Sequence, residues 1–362
     1  MNTLPSRIWR ARAALAQTFG ARLGPLLTGL GVSSLRIAGI AGMALDPLFF
    51  PKLRDPAPLR PIVVVGNPRT GTTFLHRFLV SHRVGAGTEL WQMLYPSLVE
   101  QRVVRPALPL LERFSPTRFH NPAAHETGLT AVETDDASLF FRHFDGFFLY
   151  GFLLAFADED LRHHFDPTVR DTNTRDFAWL EALWRRTQVS HGQDRVVAKL
   201  FSLGPRLPAF LGAFPQARVL YTARDPLSVL PSAMSLVTGV LDARFGFWRL
   251  PEPVRRRYLD RLYTALVELM RRFHADQQAG RIPGEQVYLV SFDRLMRDFE
   301  PLMGEILRFL GVEPSASLRA AITAQARTQR SFQSGHAYDL DRFGLHADRI
   351  REDCAFVYRD WL

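Results

Sequence analysis

An α/β fold with a central parallel sheet is predicted by three observations. Short continuous apolar runs recur at Ile62–Val65, in RVVAKLF (195–201), in ARVLYTARDP (217–226) and in QVYLVSF (286–292), as strands buried on both faces require. Helical sequence separates them, most plainly VRRRYLDRLYTALVELMRRFHAD before the last run. The first run stops at Gly66 and passes through a hydroxyl-rich turn into a helical pattern, so the order strand, turn, helix defines βαβ units.

With 362 residues and 47% hydrophobic content, the chain is long enough for one large domain or two small ones with a buried core, which excludes disorder for most of it. The formal charge of +9 comes mainly from arginine, whose planar fork suits phosphate and sulfate oxygens. These residues are scattered along the chain, so no nucleic-acid partner is expected. A lone cysteine, Cys354, excludes an internal disulfide and a cysteine-based metal cluster, and fits a reducing, cytoplasmic location. The opening MNTLPSRIWRARAALAQ has basic residues but no uninterrupted apolar core, so no secretory signal is expected. The run GFFLYGFLLAF (146–156) falls short of the ~20 residues that span a bilayer and reads as a buried helix.

Residues 1–55 read as a helical N-terminal arm made of short pieces broken by glycines, followed by a proline-fixed extended connection in LDPLFFPKLRDPAPLRP. Residues 56–362 form the main α/β domain. Within it, about 91–185 is a mostly helical insertion after the first βα unit, expected over the carboxyl ends of the strands where such folds bind ligands. The C-terminal segment 327–362, with RTQRSFQSGHAYDLDRFGL, is polar and turn-rich and is expected to fold back over the same edge.

In Gly66-Asn67-Pro68-Arg69-Thr70-Gly71-Thr72-Thr73, backbone N–H groups around Gly71 and the first turn of the next helix converge on an anion. Thr70, Thr72 and Thr73 bring hydroxyls, and Arg69 places a permanent positive charge beside them. This predicts a P-loop-like, three-layer fold. The loop lacks a GK[ST] ending, and no strand ends in an aspartate suited to magnesium, so an ATP-dependent phosphotransferase is the weaker alternative. A non-catalytic protein that binds a nucleotide or a membrane is a third reading.

The segment PRTGTTFLHRFL resembles the 5′-phosphosulfate loop of the sulfotransferase family, in the branch with arginine at the position of Arg69, similar to bacterial and tyrosylprotein sulfotransferases. In YTARDPLSVLPSAMSL, Arg224 and Ser232 resemble the pair that holds the 3′-phosphate; an arginine at a strand end and a serine in the next helix can address one phosphate. VYLVSFDRLMRDFEPLMGEILRFLGV is similar to a third family segment, with Phe292 where an adenine-contacting tyrosine is common.

The resemblance implies transfer of a sulfuryl group from 3′-phosphoadenosine 5′-phosphosulfate (PAPS) to an acceptor hydroxyl or amine, with no metal. Glu89, twenty residues after Arg69 and just beyond the loop's helix, is the first choice of base by that resemblance. His125 is the competing base. Lys199 matches a lysine that steadies the leaving oxygen. Glu126, Glu133, Asp135 and Asp136 read as carboxylates on a solvated helical face, and Arg330 and His336 as tail groups that close over the nucleotide. The aromatic insertion favours an apolar small molecule or lipid as acceptor, and the basic arm offers peripheral membrane contact.

Overall fold

The computed structural model describes residues 3–21, 23–56, 58–114, 128–330 and 340–362. The chain divides into two compact units. One comprises Met1–Pro58, Gly87–Asp194 and Met234–Ala265; the other comprises Leu59–Ala86, Arg195–Ala233 and Leu266–Leu362.

The first unit contains the arm, as helices α1 (Leu4–Phe19) and α2 (Leu23–Phe49). The short pieces and the extended connection expected from sequence are corrected here, because α2 runs unbroken through Gly29, Gly31, Gly39 and Gly42 and past Pro47. Glycine inside a helix costs about 1 kcal/mol against alanine, but a Cβ on Gly42 would stand 2.6 Å from Ser97 Oγ and one on Gly39 would stand 3.2 Å from Pro96. The glycines are therefore where Pro96 and Ser97 approach the helix. Pro47 offers no N–H to the carbonyl of Met43, one turn back. Arg186 Nη2 donates to that carbonyl instead at 3.0 Å, and Arg54 Nε donates to the Pro47 carbonyl at 2.6 Å. The turn Pro51–Leu53 then ends the helical run.

Asp46, fully buried on α2, ties the arm to the rest of this unit. Its Oδ1 accepts from Ser97 Oγ at 2.7 Å and from Val99 N–H at 3.0 Å, and its Oδ2 pairs with Arg186 Nε at 2.6 Å. The run GFFLYGFLLAF forms the helix Phe147–Phe152 and a following 3-10 turn, Leu154–Phe156. Glu133, Asp135 and Asp136 are buried, which corrects the solvated face. Their burial is supported by donors: Asp135 accepts from Trp184 Nε1 at 3.0 Å and Asp136 from Thr134 Oγ1 at 2.5 Å.

The second unit holds the sheet. Strands β1 (Ile62–Val65), β2 (Val197–Lys199), β3 (Arg218–Ala223) and β4 (Val287–Ser291) lie in the order β2-β1-β3-β4, all parallel, with Val63 opposite both Ala198 and Val219. All four apolar runs thus became strands. Ile62, Val64 and Leu220 face Leu75 and Phe78 of helix α3 (Thr72–Ser81) and Phe299, Leu302 and Ile306 of helix Phe299–Leu310 in one buried cluster. Each such side chain contributes about 1.5–3 kcal/mol on full burial. Alternation turns Tyr221 to the opposite face, where its ring stacks on Phe273 at 3.6 Å and meets Trp361 at 5.4 Å. Helices on both faces make the three layers. Because the chain leaves β1 for β2 on one side and returns to β3 on the other, the carboxyl ends of β1 and β3 form the point where strand order reverses.

Candidate active site

The turn after β1 is built by steric exclusion. Gly66 has φ 137°, and a Cβ there would lie 2.3 Å from Thr222 Oγ1 on β3. Its absence lets Thr70 Oγ1 reach Thr222 Oγ1 at 2.6 Å while donating to the Asn67 carbonyl at 2.7 Å. Asn67 is buried and donates through Nδ2 to the Leu266 carbonyl at 2.8 Å. Gly71, at φ 90°, then starts α3 without a side-chain cap. The first N–H groups of a helix have no partner within it, so Thr72, Thr73 and their neighbours present donors and the positive end of the dipole.

Arg69 sits at φ 77°, a strained conformation for a side-chain-bearing residue that costs of order 1–3 kcal/mol. Two contacts hold it there. Arg224, the residue after β3, donates from Nη1 to the Arg69 carbonyl at 3.0 Å, and Arg69 Nε donates to Ser232 Oγ at 2.9 Å. The two sequence motifs are therefore one network: pairing of β1 with β3 brings Arg224 beside the loop, and the helix Pro226–Phe245 brings Ser232. The guanidinium of Arg224 lies 4.0 Å from the ring centre of Phe292, the first residue after β4. That ring also covers Gly71, where an added Cβ would meet it at 3.1 Å.

Lys199 ends β2 and is 5% exposed, so a surface ion pair does not describe it. Its Nζ donates to Thr73 Oγ1 at 3.1 Å. It is one of only two lysines among 45 basic residues. A compact ammonium at a buried point in an arginine-rich chain suits a single close contact with an oxygen. Asp225 does not pair with Arg224; its carboxylate takes Tyr358 O–H at 2.7 Å and Leu227 N–H at 3.0 Å. The Tyr358 hydroxyl is correspondingly pushed above its ordinary pKa, by burial first and by Asp225 second. Sequence reasoning missed Tyr358, Thr222 and Asn67.

Glu89 belongs to the other compact unit. It does not follow α3 directly: α3 ends at Ser81, and Glu89 is the N-cap of helix α4 (Leu90–Leu94). Its carboxylate accepts from the Gln92 backbone N–H and the Trp91 indole N–H, while Gln92 Oε1 accepts from Glu89 N–H at 2.9 Å. His125, Glu126 and His336 lie outside the described residues, and Arg330 is the last residue of the helix Ala316–Arg330. Among the described residues, no group of His, Cys, Asp and Glu is placed to hold a metal ion. A cleft of about 360 Å³ sits at the amino ends of the strands, lined by Arg60, Arg195 and Arg218. The loop residues are at the opposite end of the sheet.

A glycine loop opening an uncapped helix, with two arginines, a lysine and a serine gathered around it, offers at the switch point of an α/β sheet the N–H donors and positive charge that a phosphate- or sulfate-bearing ligand requires. Residues 61–316 match the family model described as the sulfotransferase family, and the chain belongs to that family. It is 25% identical over 262 residues to the omega-hydroxy-beta-dihydromenaquinone-9 sulfotransferase Stf3 of Mycobacterium bovis and of Mycobacterium tuberculosis, a match covering 70% of this chain. The matched region spans 63% of the length of those relatives. Among solved structures, the sulfotransferase STF1 of Mycobacterium tuberculosis superimposes with a TM-score of 0.72 at 20% identity, covering 98% of this chain and 91% of that one. STF9 of Mycobacterium avium gives 0.68 at 21% identity, covering 88% and 81%. These two likenesses establish the fold.

Proposed function

We propose that the chain transfers a sulfuryl group from PAPS to a hydroxyl of a largely apolar acceptor. The observation that carries this reading is the joined network of Arg69, Arg224 and Ser232, in which the loop arginine hydrogen-bonds the serine and accepts through its carbonyl from the arginine of the second motif. Arg69, Gly71 and the first turn of α3, with the Thr70, Thr72 and Thr73 hydroxyls nearby, would hold the 5′-phosphosulfate. Arg224 and Ser232 would hold the 3′-phosphate, and Phe292 would face the adenine. The uncapped helix start and the cradle at Gly71 fit such a group, because a side chain there would meet Phe292 and Leu295.

When bound, PAPS supplies a sulfuryl group whose bond to the 5′-phosphate oxygen breaks as the acceptor oxygen bonds to sulfur. Arg69 and Lys199 steady the oxygens that gain charge, and Glu89 receives the acceptor's proton. The helical insertion supplies the acceptor surface. A relative named for a hydroxylated menaquinone derivative supports an apolar, lipid-like acceptor.

Calorimetry separates this reading from a phosphotransferase. The expected result is that 3′-phosphoadenosine 5′-phosphate binds much more tightly than AMP or ATP; equal affinity for all three removes the two-site reading. Glu89→Gln keeps the side-chain size and one acceptor oxygen but cannot take a proton. It is expected to lower kcat by about hundredfold or more, with nucleotide affinity unchanged. An unchanged kcat assigns the base elsewhere.

A further inference from the structure

Among the described residues, nothing covers the uncharged outer face of α2. Leu30, Ile37, Leu48 and Phe49 are 59%, 70%, 64% and 60% exposed, with Ile40 and Leu45 about half exposed. At 3.6 residues per turn, Leu30, Ile37 and Leu48 lie within about 20° of one another, and the stripe is about 28 Å long. No exposed residue of α2 between Leu30 and Phe49 is charged: Arg36 is half-buried and Asp46 is wholly buried. A patch this large on a water-facing helix marks an interaction surface.

We propose that α2 is a membrane-docking helix that lies in the interfacial plane of an anionic bilayer. Charge names the occupant. At the carboxyl end of the stripe, Arg54 is fixed against the carbonyls of Pro47 and Leu48, Arg102 lies 4.5 Å over the Phe50 ring, and Lys52 is exposed beside them, with Asp55 the nearby acid. Lipid headgroup phosphates complement this basic rim while the stripe enters the acyl boundary.

By length and composition alone, Gly29–Phe49 is also apolar enough to cross a bilayer. The ion pair decides against crossing. A spanning α2 would carry Asp46 into hydrocarbon and strip it from Arg186, Ser97 and Val99, and would expose the glycine face that packs on Pro96 and Ser97. One face remains on the protein and the other enters the lipid. This surface does not rest on the sulfuryl-transfer reading, and its test needs no turnover.

The full chain is sedimented with vesicles of phosphatidylcholine alone and of phosphatidylcholine mixed with phosphatidylglycerol. It is expected to partition onto the mixed vesicles, about fivefold more weakly after Lys52→Gln and at least about tenfold more weakly in I37E/L48E. Both substituted positions of that double variant are exposed, and an unchanged circular dichroism spectrum verifies its fold. Absence of binding, or equal binding by wild type and I37E/L48E, overturns the proposal. So does a wild-type dimer that ignores vesicles and becomes monomeric in I37E/L48E, since a second copy would then cover the stripe. Cys354 is buried, so Ile40→Cys, midway along Gly29–Phe49 and half exposed, adds one accessible thiol for a fluorophore. Stronger quenching by lipids with the quencher near the headgroup is expected; stronger quenching from the chain ends means that α2 crosses, which overturns docking in the plane.

Discussion

Arg224→Ala is expected to weaken binding of 3′-phosphoadenosine 5′-phosphate by roughly thirtyfold or more, while AMP loses far less. Truncating one member of a buried charged pair costs about 2–5 kcal/mol, and each 1.4 kcal/mol is about tenfold in affinity. Arg224 also braces the Arg69 carbonyl and stacks on Phe292, so some weakening of AMP is expected through the loop. Arg224→Lys separates the two effects, since lysine keeps the charge and loses the planar fork. Calorimetry with both nucleotides reads the outcome; equal weakening of AMP means that Arg224 recognises something other than a 3′-phosphate.

The largest expected effect on stability is at Asp46. Asp46→Ala leaves the Arg186 guanidinium, the Ser97 hydroxyl and the Val99 N–H without their shared acceptor. Breaking a buried ion pair by removing one partner costs about 3–5 kcal/mol, which denaturant unfolding would register as a large fall in midpoint. Asp46→Asn, which keeps an oxygen acceptor but not the charge, is expected to lose less. A midpoint within error of the wild type for Asp46→Ala would mean that the arm is not held through this residue.

The sheet was legible in the sequence because β1, β2 and β3 are almost wholly buried, which forces apolar runs at 62–65, 197–199 and 218–223, while the edge strand at 287–291 is only partly buried and keeps its apolar run. The turn was legible because Gly66 and Gly71 punctuate the passage from strand to helix, and its reading as an anion site came from the resemblance of PRTGTTFLHRFL to the family's loop. α2 was misread for a physical reason. Gly39, Gly42 and Pro47 signal breaks when judged locally, yet Ser97 needs the space at Gly42, and Arg186 takes over the carbonyl that Pro47 leaves unpaired. Asp135 was misread in the same way, because the donor that makes its burial tolerable, the Trp184 indole, lies far along the chain.

By itself the sequence determined the parallel α/β fold, because burial period dictates it, and the glycine turn at Gly66–Thr73, because local sterics require it; Arg224 and Ser232 were singled out by resemblance to the family. Tertiary structure alone decided how those residues combine. Pairing of β1 with β3 sets Arg224 against the carbonyl of Arg69 and holds that residue in a strained backbone conformation. Tyr358, from the other end of the chain, donates its hydroxyl to Asp225, the residue after Arg224. Such long-range hydrogen bonds have no period or spacing in sequence, and only the folded chain brings their partners together.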